Sequence, residues 1–579
     1  MQSDGTPIGG ASSAGSGGAT RAREDDSTVA SDLDPDGFSQ GSSAKSRRTW
    51  CRDGPKDLSA VLRVNHDAAE HMVKHAIHSG DETMMQSMIS WCKRDRVVTS
   101  NFSGLLSYEM AVLFSLQDLA EALKVRPGNI VFYSACENDP VAQGAIKENR
   151  HVKVQHLFKD CEDFMFDYDR EEVNQIVADQ MEQYACLVEE LKLHGITKQH
   201  HNLEAEKLSR TTLELLKAKF ETMEFQDCAP CLIHGKDCFI SPRAHRAYRN
   251  MYWQDGGGTV CCPFSTMSNT PHWCDKSTVS TLCHVYSRRY FEPNELDHEC
   301  VLPFEVGVFA EILARTDGIP KSIHCKDVAD DESYKGYGVL SNCFSPADLG
   351  VPASRPRRYS KFKLLTDGEV VTMKCSLCFE GLFYRQLHLN ASIYLVIPSE
   401  IELAEVTELM SRPRRKLARA GSDPTHGPQA VDLSSSGDFH RKEGYLVKAA
   451  KLALCDSGGN NWKPDVAIVN LHQNSEFMKM ISTGTAPGLM RKSSLFDLVK
   501  NKRVPIAASW LISGFPRPGL GTQFGHHVDG RFPLVGCLVN SSAEFGSAGK
   551  ISLENQGFLL GNVMHVAQIG HWVLYGSLV

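Results

Sequence analysis

Three consecutive stretches of this chain repeat one pattern: an apolar run, a polar turn, then an amphipathic segment. RVVTSNF leads into SYEMAVLFSLQDLAEALKV, NIVFYSACEND leads into PVAQGAIKEN, and VKVQHLFKDCEDF closes the series. Short runs rich in β-branched and aromatic residues, bounded by turn signals, read as strands, and the 3.6-residue spacing after them reads as helix. Pro127-Gly128 separates the first helix from the second strand. Alternation of this kind makes successive strands parallel, with helices covering the sheet. The expected fold class is therefore α/β, a doubly wound and mostly parallel sheet. Ligands of such sheets bind beyond the carboxyl ends of the strands. Glu137 and Asn138 stand there after the second strand, and Asp160 and Cys161 after the third.

The rest of the 579 residues divides by texture. Residues 1–56 are rich in Gly, Ser, Asp and Ala without apolar periodicity, and read as a disordered tail. Order is expected from about Leu58, in a helical stretch. Val173, Ile176, Val177, Met181, Tyr184, Leu187, Val188 and Leu191 recur at helical spacing, so about 168–225 reads as an inserted helical hairpin. Plain packing explains that stripe better than a cofactor does. Residues 366–480 read as short strands and loops around the basic run RPRRKLARA, and 481–579 ends in a glycine turn and an apolar helix, GNVMHVAQIGHWVLYG.

Composition narrows the function classes. A net charge of −8 excludes a uniformly basic nucleic-acid coat, while a local basic groove stays open because steering depends on the patch. No run reaches the roughly 18 to 20 apolar residues of a membrane span, so no membrane partner is expected. The N-terminal MQSDGTPIGGASSAGSGGAT lacks the apolar centre of a secretory signal. Nineteen cysteines without such a signal point to a reducing compartment and free thiols.

Two stretches carry chemistry-bearing residues. In DCAPCLIHGKDC, the spacing of Cys228, Cys231, His234 and Cys238 is compatible with tetrahedral zinc. The pattern is compact and has no distant second pair, so packed thiols are the blander reading. Between Gly256 and Ser268 the chain reads GGGTVCCPFSTMS. A turn explains the glycines, but two cysteines, a proline and a Phe-Ser pair behind them suit a nucleophile loop.

The order of the pieces resembles the cytosine carbon-5 methyltransferase family, in a divergent form, over roughly residues 95–579. NFSGLLSYEMA is similar to its first motif, which implies contacts to S-adenosylmethionine from Phe102, Ser103, Gly104 and Leu105. Glu137, with Asn138, falls where the family holds the ribose, and Asp160, with Cys161, where it meets the adenine. VCCPFST resembles the family's Pro-Cys-Gln-x-Phe-Ser loop, which makes Cys261 the nucleophile and Cys262 a glutamine substitute. HECVLPF resembles the Glu-Asn-Val motif and makes Glu299 the catalytic acid. GVPASRPRRY resembles the Gln-x-Arg-x-Arg segment, with Arg355 and Arg357 at the two arginine positions. APGLMRKSS, around Arg491, is a weaker match to the ninth motif. GNVMHVAQIG resembles the last, with Gly561, Asn562 and Val563 closing the cofactor pocket. The family's fold is a Rossmann-like sheet with a smaller target-recognition domain. This implies a catalytic domain over 57–365, a target-recognition region over 366–480 and a C-terminal return over 481–579.

What the resemblance implies is methyl transfer from S-adenosylmethionine to cytosine in DNA, with the base flipped out of the duplex and the protein resident in the nucleus. The chain departs from the family pattern at named places. Leu106 and Ser107 stand where glycines are usual, Val260 replaces the proline before the nucleophile, Cys300 the asparagine after the glutamate, and Ala353 a glutamine. Two alternatives accompany the reading: the same chemistry on RNA, and an inactive nucleic-acid-binding homologue. Oligomeric state and target sequence have no signature here.

Overall fold

The computed structural model describes residues 52–149, 152–194, 203–258, 272–301, 306–314, 334–366, 371, 373–375, 377–395, 444, 467–471, 484–489, 493–500, 502–515, 557, 559–561 and 563–579. All of them fall within one unit, Arg48–Val579. The N-terminal tail, the loop with Cys261 and Cys262, Arg491, Asn562 and most of the expected target-recognition region lie outside the described residues.

A nine-stranded sheet organises the molecule. β1 (Arg96–Asn101), β2 (Ile130–Cys136) and β3 (His156–Phe158) are parallel, with β2 in the middle. β4 (Cys228–Cys231) and β5 (Lys236–Phe239) form an antiparallel hairpin on the β3 edge. On the other side of β1 lie β6 (Tyr252–Gly258) and then β7 (Glu295–Cys300), both parallel to it. β8 (Tyr334–Phe344) forms the far edge, while the short β9 (Ala353–Ser354) pairs elsewhere, with Ala486–Pro487. β10 (Arg357–Thr366) inserts antiparallel between β7 and β8, giving the order β5-β4-β3-β2-β1-β6-β7-β10-β8. The chain winds outward from β1 to β3 and then returns beside β1, so its winding reverses between β1 and β6. That reversal opens a crevice at the carboxyl ends of these strands.

Burial on both faces explains the strand sequences. All six residues of β1 are buried, which favours the continuous β-branched run over strict alternation. β3 is shorter than the VKVQHLF run suggests. The Val152 amide donates to Asn149 Oδ1 at 3.1 Å, a local turn that delays strand pairing until His156.

Two apolar layers sandwich the sheet. One gathers α1 (Leu58–Leu62), α2 (Val64–Ser79), α3 (Glu82–Lys93), α4 (Ser107–Leu123), α5 (Pro140–Glu148) and the C-terminal helix Val566–Gly576, with Met72, Leu119 and Trp572 fully buried. The other gathers α6 (Asp167–Leu193), α7 (Leu203–Glu221), α8 (Ser277–Phe291) and α9 (Val306–Leu313) around Val173, Leu216 and Leu282. α6 and α7 are the two helices of the 168–225 stretch, and Lys219 of α7 ties them through Asp169 at 2.7 Å. The C-terminal helix is buried on every side, as an all-round apolar helix must be. Among the described residues no helix is long and apolar enough to cross a membrane.

Candidate active site

The loop after β1 is built from backbone conformations that side chains resist. Phe102, Gly104 and Leu106 have φ of 54°, 54° and 63°, in the left-handed region that glycine adopts most cheaply. Leu106 occupies one of the positions where the sequence lacks an expected glycine, and the backbone takes the glycine conformation regardless. What holds it there is burial: Leu106 is fully enclosed in the core. Ser103 pins the loop to β2, its amide donating to the Cys136 carbonyl at 3.1 Å and its Oγ accepting from the Cys136 amide at 3.0 Å.

Glu137 follows β2 and reaches back to the same loop. Its Oε2 accepts the Gly104 amide at 2.7 Å and its Oε1 the Asp139 amide at 2.9 Å. Asp139 in turn caps α5 by accepting from the Val141 and Ala142 amides, both at 2.9 Å, ahead of Pro140 at the first helical position. An ionised carboxylate offers about four lone-pair sites, so Glu137 can hold backbone amides and the two hydroxyls of a ribose together. The chemistry of this cradle fits S-adenosylmethionine. Asn138 beside it is exposed. Asp160, after β3, is half-buried and accepts the Glu162 amide at 3.0 Å. Cys161 points elsewhere: its thiol donates to the Ser280 carbonyl of α8 at 3.2 Å, leaving only its backbone for a ligand.

Leu105 and Val563 are both buried, and Gly561 is half-buried. The Met564 amide donates to Ser107 Oγ at 3.3 Å, which brings Val563 and Met564 to the first turn of α4. Beneath Phe102, edge-on at 5.8 Å between ring centroids, lies His284. Its Nδ1 pairs with Asn101 Nδ2 at 2.7 Å, and burial, followed by the nearby Arg288, pushes its pKa well below the usual imidazole range. It is a neutral floor to the crevice that nothing in the sequence singled out.

The second half of the site collects at the ends of β6 and β7. Glu299 sits between Gly258 of β6 and Tyr359 of β10 in the strand register. Arg355 lies in the short link between β9 and β10, and Arg357 opens β10. Both reach the same oxygen: Arg355 Nη2 lies 3.4 Å and Arg357 Nε 3.3 Å from Glu299 Oε1. The structure thus brings Glu299 together with two arginines more than fifty positions later in the chain. Arg355 is itself held, its amide donating to Ser345 Oγ at 3.1 Å and its Nη1 to the Leu489 carbonyl at 3.3 Å. Ala353, where a glutamine was expected, pairs through its backbone with Ala486. The arginine segment and the APG segment therefore form one ladder. Cys300 faces away from Glu299, buried in the α6–α9 layer.

The glycines of GGGTVCC are strand residues, each with a reason. A Cβ on Gly256 would stand 2.2 Å from the Tyr108 ring, and one on Gly257 would stand 2.9 Å from His284 Nε2. On Gly258 it would lie 3.3 Å from both Glu299 Oε2 and Met564 Cε. The bare end of β6 thus admits Glu299 and the C-terminal segment side by side. Cys261 follows three residues later and is outside the described residues.

Of the four zinc candidates, Cys231, His234 and Cys238 come together, whereas Cys228 does not. Cys238 pairs with Ala229 in the β4–β5 register, so it shares a face with Ala229 and Cys231. Side-chain alternation turns Cys228 to the opposite face.

No family model matches this chain, and no curated protein matches it. Solved structures to which it is similar include the Entamoeba histolytica methyltransferase EhMeth, at 13% identity and a TM-score of 0.33, covering 83% of this chain and 98% of that one. The S. pombe Dnmt2 methyltransferase is similar at 11% identity and a TM-score of 0.31, covering 83% and 98%. Spodoptera frugiperda DNMT2 is similar at 12% and 0.31, covering 83% and 99%.

Proposed function

We propose that this protein methylates carbon 5 of cytosine in DNA, using S-adenosylmethionine and a covalent adduct to Cys261. The observation that carries the reading is the cluster of Glu299 with Arg355 and Arg357 at the end of β7, beside the strand end that leads to Cys261. Cytosine carbon 5 is a poor nucleophile. A thiolate adding at carbon 6 makes the ring enamine-like and carbon 5 reactive. S-adenosylmethionine, when bound, supplies an electrophilic methyl group. Glu299 donates a proton or hydrogen bond at N3, so charge does not accumulate on the ring. The two guanidinium groups orient Glu299 and add positive potential that favours a thiolate nearby. A base then takes the carbon-5 proton as the carbon–sulfur bond breaks, which expels the Cys261 thiolate and restores the ring. Glu137, Asp160 and the Phe102–Leu105 loop would hold the cofactor on the neighbouring strand ends. A target base must leave the duplex to enter this crevice, and a DNA substrate sets the protein's work in the nucleus.

The test is a trap. Duplex DNA carrying 5-fluorocytosine blocks the final elimination, so purified protein with labelled S-adenosylmethionine should become covalently attached to methylated DNA. Cys261→Ala should abolish the adduct. Attachment to fluorinated RNA alone would move the substrate to RNA. No adduct on either, with cofactor and nucleic acid both bound, would replace catalysis with a binding role.

A further inference from the structure

We infer that His156, Cys231, His234 and Cys238 form a tetrahedral zinc site that staples the β4–β5 hairpin to the core of the sheet. Three of these residues were visible as a spaced set in the sequence; the fourth ligand is a histidine more than seventy residues earlier, on β3. One donor atom from each of the four lies within 4.8 Å of every other. Cys231 Sγ is 3.5 Å from His234 Nδ1 and 3.9 Å from His156 Nδ1, and Cys238 Sγ is 3.3 Å from His234 Nδ1. With zinc–sulfur bonds of about 2.3 Å and zinc–nitrogen bonds of about 2.0 to 2.1 Å, a tetrahedral angle separates sulfur from nitrogen by about 3.6 Å. The three separations bracket that value.

The register explains why these four and not Cys228. Phe158 pairs with Cys231 across the β3–β4 junction, and His156 is two residues before Phe158, so it lies on the Cys231 face. Ala229 pairs with Cys238 on that same face. His234 occupies the connecting turn, which closes through a Gly235 amide to Cys231 carbonyl bond of 2.8 Å and a left-handed Gly235 at φ 64°. His156, Cys231 and Cys238 are buried and His234 is exposed, a closed set with one ligand at the rim through which an ion can enter.

The hairpin needs such a tie. β4 meets β3 through a single residue pair, little pairing for the edge of a nine-stranded sheet. Beyond that pair, the Leu232 amide donates to the Leu157 carbonyl at 2.7 Å and Tyr133 Oη to the Phe239 carbonyl at 2.8 Å; a metal bridging His156 to both hairpin strands would add a stronger tie. Binding deprotonates two thiols and so releases protons to solvent. His156, at the start of β3, also stands four residues before Asp160. This inference is independent of the methyl-transfer reading.

Full-length protein, purified under reducing conditions with added zinc, should carry one zinc per chain by elemental analysis. Replacement by Co2+ should give the strong visible absorption of tetrahedral cobalt with sulfur-to-metal charge transfer. Cys231→Ser, Cys238→Ser and His156→Gln should each weaken cobalt binding at least tenfold, while Cys228→Ser leaves it unchanged. His234→Cys guards against variants that merely misfold: it should retain the metal and gain charge-transfer intensity from a third thiolate. Absence of bound metal in the wild type would overturn the proposal. So would wild-type affinity in His156→Gln, or a loss in Cys228→Ser as large as that in Cys238→Ser.

Discussion

Glu299 is placed by what its neighbours lack as much as by what they carry. Two guanidinium groups share its Oε1, and Gly258 leaves room for Oε2. Glu299→Gln keeps the shape and removes the acid, so methyl transfer should fall by about 10²-fold or more, the usual scale for losing a positioned acid, with cofactor affinity unchanged in a binding titration. Gly258→Ala should leave stability within about 1 kcal/mol, since a contact of 3.3 Å needs only a small adjustment. Its transfer rate should nonetheless drop, because the adjustment is made by Glu299 and Met564. Equal activity in wild type and Gly258→Ala would show that this close approach has no part in the reaction. Glu109 offers a pH test. It is fully buried in the first turn of α4 with Ser100 as partner, and burial pushes its carboxyl up from 4.5 to about 7. A raised acid stabilises below the unfolded pKa, and that contribution is lost as pH rises through the folded one. From about pH 5 to about pH 8 wild-type stability should therefore fall relative to Glu109→Gln by roughly 2 to 3 kcal/mol. Urea denaturation of both proteins at the two pH values checks it, and parallel pH profiles would refute it.

At the scale of elements, the loop before α4 and the end of β6 show how far local sequence reaches. The sequence places a turn at NFSGLLS and reads the missing glycines at Leu106 and Ser107 as a departure from pattern. The structure resolves it: Leu106 adopts the left-handed conformation while its side chain fills the core. Relief of backbone strain by glycine is worth about 1 kcal/mol, whereas emptying a buried leucine costs about 2 to 5 kcal/mol. Leu106→Gly should thus be destabilised by about 1 to 4 kcal/mol net, read by chemical denaturation; a gain in stability would mean strain dominates. The glycine run is graded in the same way. Gly256→Ala drives a Cβ into the Tyr108 ring at 2.2 Å and should cost about 3 kcal/mol or prevent folding, far more than Gly258→Ala. The strands β1 and β2 and the helices α4 to α7 were legible because each carries its own periodicity. The β4–β5 hairpin was not, because CAPCLIHGKDCF has neither a clear alternation nor a long apolar run. Without its register, Cys228 could not be separated from Cys231.

At the scale of the whole molecule, what the sequence could not display was partnership across distance. The arginine spacing at 355 and 357 was readable, and so was an acid at Glu299, but not the ladder that joins residues 353–354 to 486–487, nor His156 meeting a hairpin from elsewhere in the chain. The C-terminal helix gives the longest such connections. Ser115 Oγ donates to the Gly570 carbonyl at 3.2 Å and Asn65 Nδ2 to the Val566 carbonyl at 3.2 Å. Gln568, fully buried, spans the site itself: its Nε2 donates to the Phe344 carbonyl at 2.8 Å and to the Arg355 carbonyl at 3.0 Å. One amide therefore fixes the backbone of the residue that holds Glu299, from 213 positions away. Gln568→Met keeps the volume and removes both bonds. Taking this donor from one buried and one partly buried carbonyl should cost about 2 to 4 kcal/mol, visible as a lower denaturation midpoint. Because the released carbonyl belongs to Arg355, methyl transfer per folded molecule should fall as well, with cofactor affinity retained. The two effects separate cleanly. A loss of stability with unchanged activity per folded molecule would confine the C-terminal helix to packing, whereas a loss in both would make it the brace that keeps Arg355 on Glu299.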